Sequence, residues 1–306
     1  MCRLGCRHFR PGIRYRLKVL RVRMNVLSFA TAQLIKVLPR ERISRAAGKL
    51  ADHTWSPSLG RIVVDTYCRL YDVDLTDCAQ RSGWSSFDAF FTRSLREGAR
   101  PMPADPRVLV SPADGVLASH GPVDADARYL VKGRHYSTSE LLGSDEEADR
   151  YRGGAGCVVY LSPRDYHRVH APVGGRIARV CSMPGDYFPV NDMGVKFVPN
   201  LFARNRRVAV GIDTPEELGL GRVTVVFVAA IVVGRITVSG FTERDVPFGT
   251  FAPDTPIARG EELGMFHLGS TAVVFFEPRA VGQFATEIGP TRYGEALMVP
   301  GKASRT

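Results

Sequence analysis

The chain has 306 residues, 44% of them hydrophobic and 24% charged, enough apolar material for the core of a globular protein with one large domain or two modest ones. Its net charge of +10 would suggest a nucleic-acid partner, but residues 1–23 hold eight Arg or Lys and no acid. The other 283 residues carry 33 basic against 31 acidic side chains, so no nucleic-acid partner is expected for the folded body. Six cysteines, at positions 2, 6, 68, 78, 157 and 181, form no CxxC pair, so they indicate neither a zinc framework nor a disulfide scaffold, and reduced cytosolic thiols are expected.

The basic end, 1–23, admits two readings: an arm for anionic lipid or nucleic acid, or an artefact of an upstream start codon, with Met24 opening a more ordinary protein. It has no apolar core or small-residue cleavage site of the kind that a secretory signal needs. From 24 to about 100 the apolar residues recur at helical spacing. Helices are expected over 25–38, which ends at Pro39, and then over 40–53, 58–73 and 85–98. Basic residues flank the apolar faces, so this section reads either as helices packed on a core or as a helical, membrane-associating collar. Four prolines between 99 and 115 mark a junction. Beyond it, from 101 to 306, short β-branched runs alternate with Gly and Pro turns at 156–161, 167–180, 206–212, 223–240 and 271–277. The uncharged run 223–234 is too short for a spanning helix and reads as one buried strand or a pair. Helical pieces are expected at 137–152 and at the end of 198–205. The fold class expected is therefore α+β, with N-terminal amphipathic helices followed by a β-rich core.

Three polar clusters stand where strands meet turns. In "SPADG", 111–115, Asp114 has an ordinary role as a turn former. In "YLSPRDYHRVHAP", 160–172, His167 and His170 lie three residues apart. On a regular strand they would face opposite sides, so if both serve one site the segment between Pro163 and Pro172 must be irregular. In "GMFHLGSTAVVFFE", 264–277, Gly269, Ser270 and Thr271 interrupt an apolar run, which locally suggests no more than a bend entering a strand. Asp, His and Ser together are the parts of an activated nucleophile, but there is no G-x-S-x-G elbow. A metal- or serine-dependent hydrolase stays open as an alternative, with His167, His170 and His120 or a distant carboxylate as ligands. The His-x-x-His spacing lacks the i, i+4 geometry of the usual zinc helix.

The chain resembles the bacterial-type phosphatidylserine decarboxylase proenzymes. The matching segments run in the family's order: "SPADG" at 111, "KGRHYS" at 132, "YLSPRDYHRVHAP" at 160, "PGDYFPVN" at 184, "VPNLFARN" at 198 and "LGST" at 268. The resemblance implies no metal and a chain that cuts itself between Gly269 and Ser270, giving a large chain, 1–269, and a small one, 270–306. Asp114 would orient His170, His170 would take the proton of Ser270, and Ser270 Oγ would attack the Gly269 carbonyl. The ester would break by β-elimination, and the dehydroalanine left behind would hydrolyse with loss of ammonia to a pyruvoyl group in place of Ser270. That group would form a Schiff base with phosphatidylserine, and His167 would return a proton after CO2 leaves, giving phosphatidylethanolamine. Thr271 would help to position the reacting carbonyl.

A two-chain substrate implies work at a bilayer. The 24–98 helices and the apolar loop 193–202, for which interior packing is the other reading, are the candidate contacts, and the resemblance implies peripheral attachment to the cytoplasmic side of the inner membrane and a homo-oligomer. A non-enzymatic lipid-binding module is the third possibility.

Overall fold

The computed structural model describes residues 39–131, 133–232 and 235–301, with side chains omitted at 192 and 193. The basic segment 1–23 and the expected helix over 25–38 lie outside the described residues. The first described helix is Arg40–Asp52, which turns the small residues Ser44, Gly48 and Ala51 inward at helical spacing. Helix Pro57–Tyr71 starts with Ser56, whose side chain accepts from the Leu59 N–H, and with Pro57 in the first turn. It ends at Asp72 in the left-handed region, φ 55°.

The helix expected over 85–98 is only Phe87–Phe91, capped by Ser86. After it, Thr92 Oγ1 returns to the Asp88 carbonyl and the backbone of Ser94 and Arg96 pairs with Ala79 and Asp77. Those pairings satisfy groups that a longer helix would have used. The expected helical stretch 137–152 is likewise two short helices, Thr138–Leu142 and Asp145–Asp149. They are parted at Gly143, whose φ of 72° caps the first.

The core is a nine-stranded antiparallel sheet. Its order is Gly249–Phe251, Gly175–Met183, Arg207–Asp213, Arg222–Ala229, Ser270–Phe276, Ala155–Leu161, Gly115–Pro122 and Gly289–Thr291, with Thr255–Ile257 also on Gly175–Met183. Ser270–Phe276 lies inside this sheet and pairs over its whole length on both sides, from Ser270 against Leu161 and Ala229 to Phe276 against Ala155 and Val223. All seven of its residues are buried, as a continuous apolar run in a covered strand requires.

A smaller sheet joins Arg235–Val238, Glu262–His267 and Arg168–His170. The uncharged run 223–234 thus contributes one strand, Arg222–Ala229, to the large sheet, and the next strand, Arg235–Val238, begins after it and belongs to the small sheet. The α+β class holds: helices mostly precede a β-rich core. The apolar stretch 193–202 is not a loop on the surface. It holds most of helix Asp192–Phe197 and the start of Leu201–Arg204, and its Val195, Val198, Leu201 and Phe202 are buried.

Candidate active site

The chain passes from the small sheet to the large one between His267 and Ser270. The turn is made at Leu268, whose φ of 82° is unusual for a residue with a branched side chain. Leu268 is held there by burial against Ala51 and Phe91. The bend expected of Gly269 therefore falls one residue earlier. A Cβ at Gly269 would meet nothing within 4 Å. Ser270 opens the central strand, only 1% exposed, and its Oγ has no hydrogen-bond partner, nor has Thr271 Oγ1. Two such orphaned hydroxyls at one strand head are costly unless a reaction or ligand uses them.

His167 reaches the same wall by an irregular turn, as its spacing from His170 requires. The turn is closed by Asp165, whose side chain accepts from the N–H and Oγ of Ser162. It is tied to the helical section by Arg93, which donates to the carbonyls of Arg164 and Asp165. The His167 ring lies 4.1 Å from that of Phe91, the residue on which Leu268 also packs. Its Nδ1 donates to the Asp165 carbonyl at 2.9 Å, which leaves the lone pair on Nε2, buried and unpartnered. Burial, the largest cause, pushes this imidazole down to about 3, so it is a neutral base here.

His170 sits on Arg168–His170 with its N–H bonded to the Pro112 carbonyl at 2.7 Å, which brings the "SPADG" turn alongside. Gly115 lets that turn enter its strand, since a Cβ there would lie 2.3 Å from the Tyr160 carbonyl oxygen. His170 Nδ1 donates to the Gly260 carbonyl at 2.8 Å, and Nε2 accepts from the Tyr166 hydroxyl at 3.1 Å. Burial lowers its pKa, while Glu262 and Asp114 oppose that shift.

Asp114 accepts from Arg100, at 3.3 and 2.5 Å, and from the Tyr293 N–H at 2.9 Å. The structure thus makes neighbours of Asp114 and His170, and of His167 and the 268–270 segment. No hydrogen bond links Asp114, His170 and Ser270 to one another: both nitrogens of His170 are engaged elsewhere and Ser270 Oγ has no partner.

A family model described as phosphatidylserine decarboxylase matches residues 87–299. The phosphatidylserine decarboxylase proenzyme of Shewanella baltica (strain OS155) is 37% identical over 277 residues, covering 85% of this chain and 93% of that one. That of Alkalilimnicola ehrlichii is 38% identical over 264 residues, covering 83% and 90%. The chain belongs to the phosphatidylserine decarboxylase family.

The span that matches the phosphatidylserine decarboxylase model contains Asp114, His167, His170, Gly269 and Ser270. Two cavities flank the "LGST" segment of this family member. One, of 680 Å³, lies between Leu268 and Gly269 on one side and helical residues such as Leu59, Tyr67 and Phe91 on the other. The second, of 570 Å³, reaches Thr271 and shares Tyr160, Val190 and Asn191 with the first. Asp114 instead borders a polar cavity of 420 Å³ with Arg100 and Tyr166.

The ligand set of the hydrolase alternative is not assembled. Among the described residues no three His, Cys, Asp or Glu side chains are grouped to share a metal ion, and His120 is stacked on Phe284. Tyr166, Arg100, Asn205 and Tyr293 escaped sequence reasoning. Asn205 fastens Phe188 to Ala229, the residue paired with Ser270, by three side-chain bonds. It lies in "VPNLFARN", where only its polarity beside a helix end could have drawn notice. No helix among the described residues is long and apolar enough to cross a membrane.

Proposed function

We propose that this chain is a self-processing, pyruvoyl-dependent decarboxylase that converts phosphatidylserine into phosphatidylethanolamine and CO2. The observation that carries the proposal is Ser270 Oγ, buried without a partner just after the left-handed Leu268. A serine in that position has nothing to lose by conversion, because no hydrogen bond holds its hydroxyl. A pyruvoyl group in place of Ser270 fits the residues present. Thr271 Oγ1 and His167 Nε2 are also buried and unpartnered, and apolar cavities border Gly269 and Thr271. Such a group supplies an electrophilic carbonyl and a sink for the electron pair that departing CO2 leaves.

In the cutting step, His170 is the base for Ser270, through Nε2, because Nδ1 is committed to the Gly260 carbonyl. The Tyr166 hydroxyl must first release that lone pair. Asp114 supports the positive charge that develops on His170, from its place beside Arg100 and the Tyr293 N–H. In the turnover step, His167 carries the proton. It is neutral while the site is empty of charge, and an anionic substrate beside it raises its proton affinity. The apolar walls between the 57–71 helix and Gly269 exclude water and receive acyl chains, with the outward side of the helices resting on the cytoplasmic face of the inner membrane.

Intact mass spectrometry of the purified protein tests the proposal. The wild-type chain is expected to give two fragments parting after Gly269, the smaller with a blocked amino end. Ser270→Ala and His170→Ala are expected to stay whole, and His167→Ala to be cut yet inactive. A wild-type protein recovered as one chain with Ser270 intact would overturn it.

A further inference from the structure

We propose that Tyr293 is the positioning residue that holds His170 and Asp114 in register with each other; this rests on the self-processing reading above, which assigns Tyr293 to the small chain. Its ring stacks on the His170 imidazole, with centroids 3.8 Å apart and planes within 6°. Its backbone N–H donates to Asp114 Oδ1. One residue therefore touches both members of the pair, which share no hydrogen bond of their own.

The turn that carries Tyr293 is fixed against the "SPADG" turn. The Gly294 N–H donates to the Ser111 carbonyl at 3.0 Å and the Ser111 N–H to the Glu295 carbonyl at 2.8 Å. The preceding strand, Gly289–Thr291, pairs with Gly115, Val116 and Leu117. Tyr293 is thus tethered beside Asp114 by main-chain bonds on both sides, independently of its own side chain. The Tyr166 ring lies 5.6 Å from His170 and 5.8 Å from Tyr293, and the Arg100 guanidinium lies 5.9 Å from the Tyr293 ring centre.

This arrangement has a use at the cutting step. When Tyr166 gives up Nε2, the His170 ring keeps only one hydrogen bond, at Nδ1, about which it can swing. A face-to-face neighbour keeps the plane, and so the direction of the lone pair, unchanged. The π face also favours the imidazolium that forms as His170 takes the Ser270 proton, which is a preference for the charged state reached in the reaction. Burial works against that charge, so the support matters. The side chains of Asp114, Glu262 and Arg168, with Tyr166, are the other ionisable groups around His170.

The test is the rate of self-cleavage of the full chain, followed by intact mass against pH. Tyr293→Phe keeps the ring and is expected to cut at the wild-type rate. Tyr293→Leu keeps an apolar side chain and the N–H but not the π face, and is expected to cut about tenfold more slowly. Its acid limb should also move to lower pH, since an imidazolium with less support has a lower pKa and the neutral base then persists further into acid. Replacement of Tyr293 by a fluorinated phenylalanine, which keeps the ring's shape and drains its face, is expected to slow cleavage in the same way and serves if the Leu variant does not fold. Wild-type rates in both the Leu and fluorinated variants, or equal slowing in Phe and Leu, would overturn the role of Tyr293 while leaving self-processing intact. An uncut wild-type chain would overturn the reading beneath it.

Discussion

A histidine that is buried and neutral weakens a fold in acid. His167 ordinarily titrates near 6.5 in an unfolded chain, whereas burial brings it to about 3 in the folded one. Below about pH 6.5 the unfolded state therefore binds more protons, and stability falls with pH until the folded pKa is reached. The lowered His170 adds to the same trend. Between about pH 6.5 and 5, His167 alone should cost about 2 kcal/mol. Urea unfolding of the uncut Ser270→Ala protein at several pH values is expected to show this decline, and adding His167→Gln should flatten it. Equal slopes in the two proteins would mean that His167 is charged in the folded state. The sequence made His167, His170, Asp114 and Ser270 visible as residue types in a specific string. It did not show which nitrogen keeps a lone pair, because that depends on carbonyls supplied by Asp165 and Gly260.

Elements were legible where a pattern was local and long. The helices at 40–52 and 57–71 and the 270–276 strand lie close to where periodicity places them. The expectation over 85–98 ran too long because pairing with residues 77–79, which local spacing does not reveal, stopped the helix at Phe91. The bend before Ser270 was also misplaced, for a related reason. A glycine is the usual residue for a turn, but tertiary packing on Ala51 and Phe91 holds Leu268 in the left-handed region instead. Gly269→Ala, made in the uncut Ser270→Ala background, is therefore expected to change folding stability by no more than about 0.5 kcal/mol. A loss above about 2 kcal/mol on chemical unfolding would show that the uncut fold itself needs a glycine there. Any effect of the same change on cleavage would then belong to the reaction and not to the ground state.

At the scale of the whole molecule, the proposed cut would hand the middle strand of the large sheet to the small chain. Its neighbours, Ala155–Leu161 and Arg222–Ala229, both belong to the large chain and pair with it over seven residues each, so the fragments should stay together without a covalent link. That strand order was not legible, because it joins segments about 50 and 110 residues apart in the chain. What the helices do outside the core was legible only as two even readings, of which packing on the core is the one seen. They pack inward through Val64, Phe90 and Phe91, yet Leu50, Leu59, Ile62 and Leu70 are exposed, with Lys49, Arg61 and Arg69 beside them.

Leu50 and Leu59 also line the 680 Å³ cavity that ends at Gly269, so an apolar path runs from this outer face towards the proposed site. A face of this kind fits a bilayer interface, where burying each large aliphatic side chain contributes about 1.5–3 kcal/mol. The double change Leu59→Glu with Ile62→Glu is expected to weaken co-sedimentation with phosphatidylserine vesicles by at least about tenfold. Self-cleavage, which needs no lipid, should continue at the wild-type rate. Unchanged sedimentation in the double variant would place the membrane contact elsewhere on the chain. Slower cleavage would mean instead that these helices shape the site from within, through Phe87 and Phe91.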